Sequence, residues 1–227
     1  MSRYRHEYKY LIDAGQEGIL RVRTAAILRP DPHVRADGSY LIRSAYFDDL
    51  HDTCLEENLA GTDPRSKFRI RYYNSDTGRL TLEKKSKRRG MCLKESCSLT
   101  EGECRALLAG DTPPVSPDAP PIKKALLTEL FRRGLAPKVI VTYERIPFVY
   151  EGGNVRVTFD RRLTSSNDIG RFLTGGYAQR PVLPTGHCVL EVKWDEALPR
   201  FIRDVLTLDG LTWTAFSKYY MCRRFHM

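Results

Sequence analysis

The chain has 227 residues, a formal net charge of +9 and a pI near 9.3. A hydrophobic fraction of 41% and a charged fraction of 29% describe a chain that folds, long enough for one large domain or two small ones. No apolar run approaches the roughly 20 residues of a spanning helix, the first residues carry no signal-peptide hydrophobic region, and the cysteines (Cys54, Cys92, Cys97, Cys104, Cys188, Cys222) form no CxxC pair. A transmembrane segment, a secretory route and a structural zinc site are therefore not expected; a cytoplasmic chain with reduced thiols is. The basic excess suggests a polyanionic partner, either nucleic acid, a phosphorylated ligand or an anionic membrane, and a basic protein with no such partner is the plain alternative.

In chain order, RYRHEYKYLI (3–12) alternates charged with aromatic or aliphatic residues and reads as a strand. AGQEGILRVRTAAIL (14–28) has helical spacing and stops before Pro30. SYLIRSAYFDD (39–49), KFRIRYY (67–73), RLTLEKKSKR (79–88) and MCLKESCSL (91–99) read as strands, the last three forming a meander through NSDTG and RRG turns. Thr100 and Glu103 form a capping box before a short helix, DTPPVSPDAPP (111–121) is a connector that could also cover an opening, and IKKALLTELFRRG (122–134) is an amphipathic helix stopped by Gly134. Two strands follow, APKVIVTYERIPFVY (136–150) and NVRVTFDRRLT (154–164). Then come an irregular stretch over 165–186, a last strand HCVLEVKW (187–194) and two closing helices within 198–208 and 216–225. About eight strands joined mostly as hairpins indicate an antiparallel sheet able to close into a barrel, with an open sheet as the other possibility.

Side chains alternate faces along a strand, so KFRIRYY has an apolar face and a purely cationic one carrying Lys67, Arg69 and Arg71. The same alternation puts Arg3, Arg5, Glu7 and Lys9 on one face of the first strand. Elsewhere it aligns Glu83, Lys85 and Lys87; Cys92, Lys94 and Ser96; Tyr143 and Arg145; Arg156, Thr158 and Asp160; and Glu191 with Lys193. An ordinary solvated sheet face would mix signs, whereas lysine and arginine dominate here and the carboxylates are few and single. An RNA-binding sheet would place stacking aromatics beside its cations; in KFRIRYY they lie on the opposite face, and Tyr143 is the main aromatic of the polar side. A barrel with a basic inside and an apolar outside covered by helices fits better. Such an interior calls for a polyanion, since arginine forks and lysine point charges match phosphate oxygens, and the carboxylates would suit a divalent metal.

The ordered set EYKYLI (7–12), SAYFDD (44–49), KFRIRYY, LEKKSK (82–87), LKES (93–96), VTYERIPF (141–148), VRVTFDRRL (155–163), VLEVKW (189–194) and FSKYY (216–220) resembles the VTC domain, the polyphosphate polymerase domain of the CYTH-like, triphosphate tunnel metalloenzyme group. The resemblance spans nearly the whole chain. It implies a single domain over 1–227 with an eight-stranded antiparallel tunnel barrel, mainly β with flanking helices. It also implies transfer of the terminal phosphate of ATP to polyphosphate with a divalent cation, Mn²⁺ or Mg²⁺. By position, Lys9 looks like the N-terminal tunnel lysine, Arg69 and Arg71 like the RxR pair, and Lys85 (or Lys84) and Lys94 like the next two lysines. Tyr143 and Arg145 look like the YxR pair and Arg156 like the following arginine. Glu191 looks like the metal-binding carboxylate with Glu7 and Glu83 as helpers, and Ser217 and Lys218 like the pair that closes the phosphate site. Lys67 is placed at the rim. Arg145, Lys218, Arg69 and Arg71 are the candidates for acting on the transferred phosphate.

No SPX domain or membrane helices like those of the eukaryotic complexes are expected; the chain resembles the stand-alone bacterial form, and a membrane-protein partner stays unspecified. HEYKY supplies E-x-K where hydrolytic relatives usually carry ExExK, with Arg5 in place of the first glutamate, and this favours the polymerase. A tunnel triphosphatase and a non-catalytic polyphosphate-binding module remain the alternatives, with a nucleic-acid-binding sheet behind them.

Overall fold

The structure, a computed structural model, describes residues 4–227; Arg3 lies outside them. Its main strands are β1 (His6–Ile12), β3 (Tyr40–Asp48), β4 (Arg65–Tyr73), β5 (Asp76–Arg88), β6 (Met91–Leu99), β7 (Ala136–Tyr150), β8 (Val155–Ser166) and β10 (Cys188–Trp194). They pair antiparallel in the order β1-β10-β8-β7-β3-β4-β5-β6, with the two-residue strands β2 (Arg29–Pro30) on β7 and β9 (Arg180–Pro181) on β8. The ends of this ladder meet. Arg5 N–H donates to the Cys92 carbonyl at 2.9 Å and Cys92 N–H returns the bond at 3.0 Å, so the sheet curls onto itself at a seam between β1 and β6. Curling removes most of the exposed edge and creates an inside.

Outward-pointing residues are apolar and carry helices. On one side Phe68, Ile70, Leu80 and Leu82 pack with α3 (Glu101–Ala109) and α4 (Pro121–Arg133); on the other Val157, Phe159, Leu190 and Val192 pack with α1 (Ala14–Ile27) and α5 (Arg200–Leu206). Fully buried side chains such as Ile70 and Leu82 contribute about 1.5–3 kcal/mol each. Helices α1 and α3 start where the sequence says. Asp13 with Gln16 and Thr100 with Glu103 form reciprocal capping boxes, and Gly134 ends α4 in the left-handed conformation at φ 63°.

One helix was not expected, and two expectations change. Helix α2 (Thr53–Leu59) has no capping side chain at its own N-cap, Asp52; instead the carboxylates that close SAYFDD serve it. Asp48 accepts from the Cys54 and Leu55 amides at 2.8 and 3.1 Å, and Asp49 from Thr53 at 2.9 Å. The 111–121 connector covers no opening of the barrel, since Pro113 and Val115 pack outside, against Leu82, Leu99 and Leu126. Nor is the inside wholly polar. Ile42, Val139, Val141 and Val189 pack there with Phe216 and with Tyr219 and Cys222 of α6 (Lys218–Arg223), which fills part of the barrel.

Candidate anion-binding site

Beside that apolar plug the barrel encloses a cavity of about 310 Å³. Nine cations line its interior, Lys9, Lys67, Arg69, Arg71, Lys85, Lys94, Arg145, Lys193 and Lys218, with Arg5 and Arg156 at its opening and four carboxylates, Glu7, Glu83, Asp160 and Glu191, among them. A smaller cavity of about 100 Å³ adjoins it and shares the walls formed by Glu7, Lys9, Lys67, Lys85, Cys92 and Ser217.

The carboxylates are not single. Register places Glu83 of β5 opposite Arg69 of β4, and it pairs with Arg69 (2.5 Å), Lys94 (3.1 Å) and Arg71 (3.7 Å). The repulsion within KFRIRYY is thus relieved from the neighbouring strand. Glu7 meets Lys85 (2.8 Å), Lys9 (2.9 Å) and Lys193 (3.3 Å). Asp160 takes a bidentate fork from Arg145 at 2.6 and 2.7 Å and meets Lys218 Nζ at 2.6 Å. Glu191 meets Lys193 (2.6 Å), Arg145 (3.5 Å) and Lys9 (3.8 Å).

Burial favours the neutral form of these acids, but the surrounding cations outweigh it. Arg69 and Arg71 hold Glu83 far below the ordinary carboxylate range, Lys85 and Lys9 do the same to Glu7, and Lys193 to Glu191. Arg145 and Lys218 likewise lower Asp160.

Among the described residues, eight of the nine interior cations have a carboxylate within 4 Å and Lys67 does not. Its ammonium donates to Ser217 Oγ at 3.3 Å and lies 5.6 and 5.3 Å from the ring centres of Tyr46 and Tyr219. Burial, with Lys85, Lys9 and Arg69 nearby, pushes it down to about 8. Lys67 therefore belongs at the junction of the two cavities, not at the rim: it lines both and lies by Tyr219 and Ser217 of the plug.

The other expected residues assemble here. Lys9 donates to the Phe216 carbonyl at 2.9 Å, Arg71 donates to Ser44 at 3.0 Å and to Tyr143 Oη at 3.2 Å, and Ser217 caps α6 by accepting from the Tyr220 amide at 3.3 Å. Lys218 is buried, 5.0 Å from the Tyr143 ring centre, which rules out a solvated surface role. Of the two adjacent lysines, Lys85 faces in, while Lys84 lies over the Phe68 ring outside. Arg156 stands apart, half-exposed at the far opening and paired with Asp31 at 3.1 Å.

Strand parity put Lys193 and Asp160 on the polar face without giving them a role in the site, and it did not include Tyr46, whose hydroxyl accepts from Arg69 at 2.6 Å. Burial would raise Tyr46, yet Arg69 and Lys67 bring it down to about 7. The roles of Lys193 and Asp160 follow once parity and register are combined; Tyr46 was hidden beside Phe47 in SAYFDD.

Among the described residues no group of three or more His, Cys, Asp or Glu is gathered for a metal. Glu83 sits with Arg69, Arg71 and Lys94, while Glu7 and Glu191 share Lys9 and Lys193 between them. Glu191 is the cavity carboxylate with a buried oxygen, Oε1, that lacks an aligned hydrogen bond despite the nearby ammonium. One carboxylate of that kind fits a divalent ion whose remaining ligands are phosphate oxygens and water; it does not make an all-protein cage.

A curled antiparallel barrel with inward-facing phosphate-type ligands defines a triphosphate tunnel protein. The chain belongs to the VTC domain family, whose model matches residues 4–226. No curated protein matches the sequence. Among solved structures, a candidate adenylate cyclase from Bacillus halodurans is similar at TM-score 0.50 and 15% identity, with 85% of this chain and 81% of that one covered. A candidate adenylyl cyclase from Hippeastrum, described as having a dominant triphosphatase activity, is similar at TM-score 0.50 and 12% identity, with 99% and 96% covered. At these identities the likeness concerns the fold.

Proposed function

We propose that the chain is an ATP-dependent polyphosphate polymerase, in which ATP lies in the larger cavity and the end of a polyphosphate chain reaches it through the smaller one. The observation that carries this reading is the pair of adjoining cavities with basic shared walls, Lys9, Lys67 and Lys85. Two polyanions must meet end to end, and a hydrolase needs only one chamber and water. A terminal oxygen of the chain attacks the γ-phosphorus, the bond from that phosphorus to the bridging oxygen breaks, and ADP leaves with the electron pair. The attacking oxygen is already anionic, so positioning and charge neutralisation are what the protein supplies.

Arg69, Arg71, Lys9, Lys85, Lys94 and Tyr143 take the triphosphate oxygens in this reading. Arg145, whose Nε and Nη2 are held by Asp160, presents its remaining edge beside Lys218 and Ser217 to the transferred group, and Arg156 stands at the nucleotide opening. Glu191 would hold a divalent ion, Mn²⁺ or Mg²⁺, arriving on the phosphates, with Glu7 and Glu83 balancing the surrounding cations. When bound, that ion neutralises phosphate charge. Incubation with ATP and Mn²⁺ tests the reading: long polyphosphate with ADP is expected. Orthophosphate as the sole phosphate product would overturn it in favour of a triphosphatase, and tight polyphosphate binding without turnover in favour of a binding module.

A further inference from the structure

We infer that the β5–β6 hairpin, outside the barrel, is a docking track for a linear polyanion, the polyphosphate chain itself, through Lys87, Arg88 and Arg89 with Arg65 beside them. This rests on the phosphoryl-transfer reading above and specifies where the acceptor chain lies.

Pairing makes the argument. Cations of the larger cavity are almost all matched to carboxylates, and the arginines at its opening are too, Arg5 with Asp195 at 2.7 Å and Arg156 with Asp31 at 3.1 Å. Among the described residues, Arg65, Lys87, Arg88 and Arg89 form no ion pair. Arg65 and Lys87 line the smaller cavity, and Arg88 and Arg89 continue from it into solvent at the hairpin tip. Two acids lie close by. Glu57 lines the same cavity, and Asp63 spends its carboxylate on the backbone, accepting from the Arg89 and Gly90 amides at 3.0 Å each.

That grip holds the tip still. Arg89 and Gly90 both have positive φ, 51° and 77°, as a tight two-residue hairpin turn requires, and Asp63 fastens the turn to the chain entering β4. Unpaired cations on an anchored turn form a pre-organised, sequence-indifferent surface for regularly spaced phosphates. The chemistry favours polyphosphate over single-stranded nucleic acid, which needs rings to stack on; the tip offers none.

The test compares long-chain polyphosphate with tripolyphosphate, each titrated against the full chain over a range of salt. In the Arg88→Gln/Arg89→Asn double variant, where asparagine tolerates the left-handed turn position, long-chain affinity should fall about tenfold, up to roughly fivefold per exposed charge. The slope of log affinity against log salt should drop by about two, one per cation removed. Tripolyphosphate affinity should stay within about twofold, since it sits inside. Unchanged long-chain affinity and slope would overturn the inference, as would a single-stranded oligonucleotide that competes equally with polyphosphate. If the double variant melts below wild type, Arg65→Gln, which leaves the turn intact, should show the same loss in smaller measure, and its absence overturns the inference. A wild-type chain that binds long polyphosphate with this slope but not tripolyphosphate would sink the transfer reading and leave the docking track supported.

Discussion

The barrel interior and the β5–β6 hairpin carry the same residue types in opposite electrostatic states. Inside, Glu83, Glu7, Asp160 and Glu191 each answer two or more cations, so the cavity is built around its own counter-ions. At the hairpin, solvent and salt do the screening, and no internal acid is needed. The difference shows that burial, not cation count, decides where a basic protein must keep carboxylates. An anion entering the interior has to displace carboxylates from their guanidinium and ammonium partners, whereas one meeting the hairpin displaces counter-ions and water.

The largest effect should come from Asp160→Ala, which strands Arg145 and Lys218 in a buried position. Removing one member of a buried ion pair costs roughly 3–5 kcal/mol, or a melting-point loss of roughly 6–20 °C for a chain of this size. Thermal melts with and without tripolyphosphate check it. The anion should restore part of the loss, and a variant as stable as wild type would show that the interior tolerates unpaired cations as the hairpin does.

Next in size, Arg69→Ala and Glu83→Gln should move tripolyphosphate affinity in opposite directions. Losing the Arg69 contact should weaken binding by about 1.5–3 kcal/mol, about 10- to 150-fold. Glu83→Gln should tighten binding while lowering stability, because Arg69 and Arg71 are released from their internal partner. Calorimetric titration paired with denaturant melts reads both, and the same sign of affinity change in the two variants would break the counter-ion account.

The smallest effect is in pH. Lys67, down at about 8 among Lys85, Lys9, Arg69 and Tyr46, loses a positive charge on deprotonation, and Tyr46, at about 7 beside Arg69, Lys67 and Arg71, gains a negative one. Both changes make the cavity less positive as pH rises, so tripolyphosphate affinity should decline between about pH 7 and 9, by less than about tenfold. Tyr46→Phe should flatten the lower part of that decline; an identical profile would exclude Tyr46. Hairpin binding, which rests mainly on Arg65, Arg88 and Arg89, should stay flat over the same range.

Much of this was legible in the chain. Strand parity in KFRIRYY, RLTLEKKSKR and VRVTFDRRL separates inward cations from outward apolar residues, and the ordered motifs point to the VTC family. The capping box at Thr100 and the stop at Gly134 were read from local sequence, and the box at Asp13, which rests on the same short-range hydrogen bonding, was not read. Helix α2 escaped notice because its cap comes from Asp48, on the preceding strand, rather than from its own N-cap residue. Lys67 was misplaced because parity says which face a side chain takes but not how far from the opening it lies.

By itself, then, the sequence determined the alternation of faces, the basic character of one of them and most element boundaries, since these depend on backbone geometry and near neighbours. Only the tertiary structure decided which acid answers which cation. Lys85 with Glu7, 78 residues apart, and Lys9 with the Phe216 carbonyl, 207 apart, exist because β1 closes the ladder onto β6 and the C-terminal segment enters the barrel. Register and closure are cooperative properties of the whole sheet, and no short stretch of sequence carries them.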